Sequence, residues 1–364
     1  MGGYQKDYNY EGTDNQPMEV RCQQISSFHE GLAAIKQGKK WGYINTKGEI
    51  EIPCQFYSAY DFSEGYAVVE NKDKLYGYID KKGKQVVPYQ YTLADDFSEG
   101  LAAVKDDVRQ VSGYINVQNE MIIQGEYESM DYFSEGLASI SVRNEEGIVV
   151  FKYIDKEGKI VIDNSFDDAT PFHNGFARVE RDSQIIIINK QAEEVFSTTN
   201  YFFIENKGEL LITDENNRFK FYNLATGLQK VLPENIDSFI DFTDGLTLLE
   251  TTLGKQGALD EDGNVAIPFS YDDLFVSEGL IYYLKKGVYG FLNYQGAVII
   301  PAKYDHVYGF NSGLAKVRSG KKEFFIDQKG EIAFYVKQKE SSKVTLFIIG
   351  ILLLWIALIV LVLI

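Results

Sequence analysis

The stretch "DDFSEGLAAVK", residues 95–105, combines a tight turn with the start of a strand and recurs along the chain. Its core, F-S-E-G followed by Leu or Tyr and then Ala, also begins at Phe62 and Phe133, and looser copies occur elsewhere. A motif that recurs at a fixed period is typical of repeat proteins, in which each unit buries its apolar face against the next. The spacing of this motif therefore decides the fold.

Nine turn glycines stand about 35 residues apart, which predicts nine units. They are Gly31, Gly65, Gly100, Gly136, Gly175, Gly208, Gly245, Gly279 and Gly313. The second residue after the glycine is usually alanine, as at Ala102, and the fourth is apolar, as at Val104. A spacing of two places both side chains on one strand face, so we expect close packing between neighbouring units. Phe97 is expected to fill the joint to the next unit.

Each unit is predicted to be a three-stranded meander. Its second strand ends in a turn that opens with Asp or Asn and closes with Gly three residues later, which is a type I pattern. Asp80, Asp155, Asp260 and Asp327 are therefore interpreted as turn residues. The third strand often runs into a proline, which is expected to end it. These prolines are Pro53, Pro88, Pro268 and Pro301.

The units predict an all-β repeat array over residues 20–336. Nine three-stranded units exceed the usual 4–8 four-stranded blades of a propeller, so an elongated curved or superhelical array is favoured. A closed propeller-like ring is the alternative. The pattern is degenerate around 185–235, where "IIIINKQAEEVF" (185–196) lacks the closing glycine of its turn. We predict a bend or altered packing there.

The stretch "KKWGYINTKGEIEIP" (39–53), with "YGYIDKKGKQVVP" (76–88) and "YGFLNYQGAVIIP" (289–301), resembles the WG repeat family of bacterial β-rich proteins. The name-giving pair occurs once, as Trp41–Gly42, and Tyr76 and Tyr289 take the tryptophan position in the other two stretches. The resemblance implies a non-enzymatic repeat scaffold. It supplies no catalytic residues.

The two ends of the chain differ strongly in polarity. Residues 1–19 are polar, are expected to be mobile and lack the apolar stretch of a secretory signal. The segment from Val344 through Trp355 to Ile364 has 21 uncharged residues, enough for a transmembrane helix of about 31 Å. Residues 337–343 form a basic linker before it, which predicts a C-terminal membrane anchor with the repeats in the cytoplasm. An apolar tail that docks in a partner's groove is the alternative.

Composition argues against several kinds of chemistry. The formal net charge of −17 opposes nucleic-acid binding. Cys22 and Cys54 are too few for a disulfide framework or a zinc site and are expected to be free thiols. His29 and His173 stand where other copies of the motif have serine, so they are interpreted as turn residues. We therefore predict no catalytic, cofactor-binding or metal-binding residues.

Acidic residues leave one question open at the repeated turn. Asp61, Asp96, Asp131 and Asp241 precede the phenylalanine of the motif, and Glu64, Glu99 and Glu135 follow it. Solvated turn caps are the simple interpretation. The alternative is a set of stacked acidic ladders that attract Ca²⁺ or a basic partner.

Three functions follow in order of preference. The first is a membrane-anchored, non-enzymatic scaffold that binds a protein partner, since tyrosine offers large contact area at little entropic cost. The second is an extracytoplasmic module that binds the cell envelope or a glycan. An enzyme ranks last, because no nucleophile–base arrangement is visible in the sequence.

Overall fold

The computed structural model describes residues 17–198, 202–204, 209–213, 219–224, 226–232 and 235–338 of the 364-residue chain. Within these ranges the chain folds into β-strands, and no helix there has the length and apolarity that a membrane crossing requires. The predicted transmembrane helix, 344–364, lies outside the described residues, as does most of 1–19 and of the linker 337–343.

The strands form nine sheets, each containing four consecutive strands in an antiparallel meander. Sheet 1 contains β2 (Gln24–Ile25), β3 (Leu32–Gln37), β4 (Lys40–Asn45) and β5 (Ile50–Phe56). Sheet 2 contains β6 (Ser58–Ser63), β7 (Tyr66–Glu70), β8 (Tyr76–Asp80) and β9 (Gln85–Tyr91). Sheet 3 contains β10 (Leu93–Ala94), β11 (Ala102–Asp106), β12 (Val111–Ile115) and β13 (Met121–Gly125). Sheet 4 contains β14 (Ser129–Met130), β15 (Ala138–Arg143), β16 (Val149–Ile154) and β17 (Ile160–Phe166).

The remaining five sheets follow the same order. Sheet 5 contains β18 (Asp168–Ala169), β19 (Phe176–Arg181), β20 (Gln184–Asn189) and β21 (Glu194–Thr198). Sheet 6 contains β22 (Phe202–Ile204), β23 (Glu209–Thr213), β24 (Phe219–Asn223) and β25 (Leu228–Val231). Sheet 7 contains β26 (Ile236–Thr243), β27 (Leu246–Thr251), β28 (Gln256–Leu259) and β29 (Val265–Tyr271). Sheet 8 contains β30 (Asp273–Ser277), β31 (Leu280–Lys285), β32 (Val288–Asn293) and β33 (Val298–Tyr304). Sheet 9 contains β34 (His306–Asn311), β35 (Leu314–Ser319), β36 (Lys322–Asp327) and β37 (Ile332–Gln338), with β1 (Met18–Cys22) as a fifth strand.

The prediction of three strands per unit is wrong, because each sheet has a further strand at its start. In sheet 3 this first strand is only Leu93–Ala94, and Asp95 and Asp96 follow it directly. A two-residue strand shows no alternation of apolar and polar residues, and aspartate is rare in strands. The sequence pattern therefore gives no indication of this first strand.

The sheets close into a ring, so the elongated array is wrong and the propeller-like alternative is confirmed. Each apolar cluster joins two neighbouring sheets, and one of them joins sheet 9 back to sheet 1 through Phe28, Ile35 and Phe325. The N-terminal strand β1 also pairs in parallel with β37, the last strand, with Val20 opposite Val336. Repeat spacing fixes which units are neighbours but not their curvature, which is why it did not reveal the closure.

The meander gives the ring two faces. Because successive strands run in opposite directions, the loops after the first and third strands of every sheet lie on one face. We call it the turn face, since it carries the S-E-G turns. The loops after the second strands, and the connections to the next sheet, lie on the opposite face, called here the hairpin face.

The first strands lie on the inner side of the ring. Ser63, in sheet 2, donates its hydroxyl hydrogen to the carbonyl of Phe97 in sheet 3 at 2.8 Å, so neighbouring S-E-G turns touch. The first strands β30 and β34 also lie against each other. Sheets that converge at their first strands have their fourth strands at the rim.

The prolines do not end the last strand of a unit, as the sequence suggested. Pro53 and Pro88, for example, lie inside β5 and β9. Each of these strands is the outer edge of its sheet, where a missing N–H breaks no ladder bond. In sheet 9 the equivalent strand β37 is covered by β1, and the corresponding residue is Tyr335, which pairs with Glu19. Proline therefore marks an unpaired rim.

The predicted packing positions are confirmed. Ala102 and Val104 are fully buried, and so are their counterparts in the other well-described sheets. These counterparts are Ala33, Ala67, Ala138, Ala177 and Ala315, with Ile35, Val69, Ile140, Val179 and Val317. The small and large residues of this pair thus form the cores between sheets.

The degenerate region still forms regular sheets on either side of residue 200. In the turn 189–192, Ala192 takes the place of the missing glycine with a φ of 60°, at a cost of about 1 kcal/mol. Ile187 is buried between sheets 5 and 6, against Phe176 and Tyr222, which are only partly buried. The predicted bend concerns the angle between these sheets and stays a prediction.

Candidate interaction surface at the inner strands

The S-E-G turn is a two-residue hairpin between the first and second strands. In sheet 3, Ser98 and Leu101 exchange two backbone hydrogen bonds, and both residues between them have positive φ, 53° at Glu99 and 82° at Gly100. This is the type I′ geometry, which suits glycine and costs other residues about 1 kcal/mol. Glutamate at the first position therefore needs a compensating interaction.

That interaction is a cap on the next turn of the ring. The Glu64 carboxylate accepts hydrogen bonds from the backbone N–H groups of Glu99 at 2.7 Å and Gly100 at 2.8 Å. Equivalent caps run from Glu30 to Gly65, from Glu99 to Gly136, from Glu135 to Gly175 and from Glu278 to Ser312 and Gly313. The glutamates are therefore turn caps, but each caps its neighbour's turn.

Lysines from the next sheet complete three of these caps. Lys81, Lys156 and Lys190 lie at the same turn position and place their ammonium groups 3.0 Å from Glu30, Glu99 and Glu135, respectively. Desolvation, the largest single effect on these glutamates, raises their pKa, but the lysine and the capped N–H groups together outweigh it. The net result is a lowered pKa, which means that the folded state favours the charged cap.

The phenylalanine of the motif fills the joint to the preceding sheet, so its predicted position beside the next unit is wrong. The rings of Phe97 and Tyr78, a residue of β8, are centred 4.8 Å apart. The Tyr78 hydroxyl donates to the Asp95 carbonyl at 2.6 Å. Tyr43, Tyr114 and Tyr153 make the same two contacts with the sheets that follow them. Burial raises the pKa of these tyrosines, so they remain hydrogen-bond donors.

The Trp41–Gly42 pair lies in β4 and has a structural role. A Cβ atom on Gly42 would stand 2.4 Å from the Ile52 carbonyl oxygen, because β5 bulges towards it. Trp41 is half-buried, and Lys36 lies over its ring at 5.3 Å. A larger residue at position 42 would collide with β5, and glycine recurs at the equivalent place in four other sheets, as Gly77, Gly113, Gly257 and Gly290. Sheet 4 has Lys152 at the same bulge, so the backbone there accommodates a side chain.

A belt of polar side chains runs along the inner strands near the turn face. We define the inner belt as Ser26, His29, Asp61, Asp95, Asp96 and Asp131. His29 Nε2 lies 3.2 Å from an Asp61 carboxylate oxygen, and the Ser26 hydroxyl lies 3.3 Å from the other. Asn311 of sheet 9 contacts the His29 ring from the other side, with its amide nitrogen 3.2 Å from Nε2. The belt therefore extends across the closing joint.

The carboxylates of this belt crowd one another. Burial is the main cause that raises the pKa of Asp96, and the charges of Asp61 and Asp95 add to it, whereas His29 opposes it. Burial also raises the pKa of Asp95, with the charge of Asp131 as the second cause. Both side chains reach solvent, yet protein surrounds them on their other sides, as expected for groups on the inner wall of a ring. Such a site favours a cationic ligand.

Exposed aromatic residues adjoin belt residues in the chain. Tyr60 and Tyr132 stand next to Asp61 and Asp131 in the chain and are 45% and 44% exposed. Phe275 and Tyr308 occupy the corresponding places in sheets 8 and 9 and are similarly exposed. Aromatic rings beside carboxylates provide apolar contact area and negative charge at one surface.

The other candidate residues have structural environments. All eight of the predicted turn glycines that the structure describes have positive φ, and Gly208 lies outside the described residues. Asp80, Asp155, Asp260 and Asp327 cap their own turns, as predicted. His173 exchanges backbone hydrogen bonds with Phe176. Among the described residues no group of three or more His, Cys, Asp or Glu side chains is placed to hold a metal ion. Val344, Trp355 and Ile364 lie outside those residues.

The two cysteines are free and lie near the closing joint. Cys22 is buried in β1, and burial, the largest cause, raises its pKa to about 11. Cys54 is partly buried against the same apolar cluster, and burial raises the pKa of this thiol as well. Both thiols are therefore protonated at neutral pH and suited to packing.

Sequence reasoning singled out the belt's aspartates but missed the caps and the tyrosine contacts. The signal was present in the constant spacing of 17 residues between each buried tyrosine and the carbonyl that it reaches, as from Tyr78 to Asp95. Phe97, 19 residues after Tyr78, keeps a similar interval to its ring partner. These distances connect one unit with the next, which single-unit patterns do not show.

Comparison with known proteins supports the repeat assignment. A profile described as "WG containing repeat" matches residues 19–41, 41–74, 76–107, 113–145, 153–183, 257–289 and 289–322. No curated protein matches the chain in sequence.

Several solved structures are similar to the chain at low identity. BamB from Moraxella catarrhalis is 11% identical with a TM-score of 0.35, over 74% of this chain and 92% of that chain. Sqt1 from Saccharomyces cerevisiae is 12% identical with a TM-score of 0.35, over 75% and 93%. AztD from Citrobacter koseri is 11% identical with a TM-score of 0.37, over 76% and 95%. At these scores the fold assignment rests on the sheets of this chain alone.

Proposed function

Because the chain belongs to the WG repeat family, we propose that its ring is an interaction scaffold, held at a membrane by residues 344–364 with the repeats in the cytoplasm. Its protein partner binds the inner belt. The observation that carries this proposal is the convergence of crowded carboxylates and exposed tyrosines on the inner strands of sheets 2 to 4. A binding role agrees with a surface built from repeated turns.

The chemistry of the belt specifies the kind of partner. Asp95 and Asp96 have raised pKa values because their charges are crowded and partly desolvated, so a cation placed between them relieves an existing cost. Tyr60 and Tyr132 offer flat apolar area beside them. A segment with Lys or Arg next to apolar residues matches both features. Nucleic acid, which is polyanionic, is opposed by the same charges.

The partner can be tested by photo-crosslinking from single positions of the full chain in its native membrane. We would replace Tyr60 or Tyr132 with a photoreactive residue and compare Tyr57, which is 48% exposed and lies on the hairpin face. The proposal expects one reproducible protein crosslinked from Tyr60 and Tyr132 but not from Tyr57. Asp95→Asn with Asp96→Asn should lower that yield at least tenfold.

The matched control is Glu157→Gln with Asp262→Asn, which removes two exposed charges of the turn face away from the belt. Equal yields from all three positions, or an unchanged yield in the belt variant, would contradict the proposal. Retention of a polysaccharide in place of a protein would support the extracytoplasmic glycan-binding alternative.

A further inference from the structure

The hairpin face carries a cluster of basic side chains in a protein of net charge −17. The cluster spans the hairpin tips of four consecutive sheets, namely sheets 8, 9, 1 and 2, with the closing joint in the middle. We define this basic arc as Lys39, Lys72, Lys74, Lys286, Lys321 and Lys322, all of which are exposed. No ion pair links any of the six to an acid within the described residues. Acids also lie at these tips: Asp73 stands between two of the lysines, Asp272 accepts a hydrogen bond from the Lys286 N–H at 3.1 Å, and Asp305 accepts one from the Gly320 N–H. The basic side chains of the arc outnumber these acids.

The neighbouring hairpins are different. In sheet 3 the hairpin contains Asp106 and Asp107, and Arg109 is paired with Asp106 at 2.8 Å. In sheet 4 it contains Arg143, paired with Glu128, and the acids Glu145 and Glu146. The positive charge is thus confined to one side of the hairpin face and is centred on sheets 9 and 1.

The chain leaves the ring at the same place. Strand β37 runs from the turn face, where it follows the turn at Gly330, to the hairpin face, where it ends at Gln338. The apolar segment begins at Val344, and five residues at most about 20 Å long separate the two points. A ring tethered this closely keeps the hairpin tips of sheets 9 and 1 near whatever surface holds the apolar segment.

We propose that the basic arc lies against the anionic headgroups of the bilayer in which residues 344–364 are inserted. This inference rests on the membrane location stated under the proposed function and adds the orientation of the ring. Lysines near an anionic leaflet are attracted to its headgroups. The six lysines of the arc therefore favour an orientation with the hairpin face towards the bilayer, despite the overall negative charge. The inner belt, which lies near the turn face, then points away from the membrane and towards the partner.

The orientation can be measured by lysine labelling of the full chain in lipid nanodiscs. One set of discs contains phosphatidylcholine alone, and the other contains 30% phosphatidylserine. Amine-reactive labelling followed by mass spectrometry reports the reactivity of each lysine. We expect Lys39, Lys72, Lys286 and Lys321 to be protected threefold or more in the anionic discs, and the protection to fade in 0.5 M NaCl.

Lys47, Lys82, Lys159 and Lys329 are the matched control, because they are exposed lysines of the turn face. Their reactivity should be the same in both discs. Equal protection of the two groups, or no protection of either in chains that remain bound to the discs, overturns the orientation alone. A chain that fails to enter the discs overturns the membrane location and the orientation together. Charge reversal of the four arc lysines to glutamate should abolish the lipid dependence, whereas reversal of the control lysines should not.

Discussion

The joint between sheets 2 and 3 and the joint that closes the ring hold neighbouring sheets together through different contacts. At the first, Glu64 caps the next turn, and the Tyr78 hydroxyl reaches the next inner strand. At the closing joint Ser312 takes the glutamate's place and accepts a single bond from the Gly31 N–H at 3.0 Å. Phe325 takes the tyrosine's place and packs on Phe28 with 5.3 Å between ring centres.

The closing joint adds what the other joints lack, a strand from the far end of the chain. Val20 and Cys22 of β1 insert into the cluster between sheets 9 and 1. Successive sheets are thus held by side chains at fixed local spacing, whereas closure depends on pairing between the two ends of the described chain. The two kinds of joint should therefore fail in different ways.

The largest effect is expected from breaking the closing strand. Val20 is 5% exposed in the apolar cluster, so Val20→Asp buries a carboxyl group without a partner. We expect a loss of about 3 kcal/mol or more in the free energy of unfolding, measured by urea denaturation. The variant should also show an early, separate loss of β1 protection in hydrogen exchange. Arg21→Ala on the same strand is exposed and should change the free energy by less than about 0.5 kcal/mol.

The second-largest loss of stability is expected when the tyrosine hydrogen bond between sheets is removed. Tyr78→Phe removes a donor to the Asp95 carbonyl and should cost about 1–2 kcal/mol, because that carbonyl loses its partner. The closing joint already has phenylalanine at this place, so Phe325→Tyr should stabilise the ring if its hydroxyl reaches the Ser26 carbonyl. Urea denaturation of both variants checks the pair. A loss with Phe325→Tyr as large as with Tyr78→Phe would show that the joints differ in shape as well as in donors.

The glutamate caps should have a smaller effect. Glu64→Ala leaves the N–H groups of Glu99 and Gly100 without their acceptor and should cost about 1 kcal/mol in thermal or chemical unfolding. Glu157→Ala, an exposed glutamate outside the caps, is the control and should be neutral. Ser312→Glu supplies the closing joint with the missing cap and should gain about 0.5 kcal/mol. The idea of a transferable cap fails if Ser312→Glu destabilises the ring.

A smaller difference between the joints is expected at low pH, in the hydrogen-exchange protection of the capped turns. The pKa values of Glu30, Glu99 and Glu135 are lowered in the folded state, so their contribution is present above the ordinary glutamate pKa and is lost as pH falls through the lowered values. Hydrogen exchange, corrected for its intrinsic pH dependence, should show Gly65, Gly136 and Gly175 losing protection below about pH 4.5. Gly31, which is bonded to Ser312, should lose less. Equal losses at all four would contradict the role of charge.

The effect of the inner belt on stability should change with pH in the opposite direction. Asp95 and Asp96 have raised pKa values, so their charged forms cost stability, and this cost disappears as pH falls through those values. Asp96→Asn should therefore stabilise the ring at neutral pH and remove the contribution of Asp96 to the pH dependence of stability. A destabilised Asp96→Asn variant would indicate that the belt is structural, which would weaken its assignment to a partner.

Much of this fold was predictable because the repeat is local. The positions of Gly100, Ala102 and Val104 indicated a turn and two packing sites, and the structure confirms all three. The first strand was not predictable, because two residues before a pair of aspartates show no strand pattern. Closure was not predictable either, since β1 and β37 have no sequence relation that marks them as partners.

The candidate surface was only half visible in the sequence. Asp96 and Glu99 looked like members of one acidic cluster, yet their side chains have different roles. Because Glu99 has positive φ, its side chain turns towards the next sheet, whereas Asp96 remains on the inner strand beside Asp61 and Asp95. Backbone conformation made this separation, and residue type alone does not reveal it.

The parallel pairing of β1 with β37 also sets a waiting time during synthesis. Val20 and its partner Val336 are about 315 residues apart in the chain. At roughly 5–20 residues per second, the ribosome needs about 15–60 s to deliver the second after the first. Throughout that interval the joint in which Val20 and the Cys22 thiol pack is incomplete, and the face of sheet 1 that packs against sheet 9 stays uncovered. The strand that completes the ring is thus the segment most in need of protection by a chaperone while translation continues.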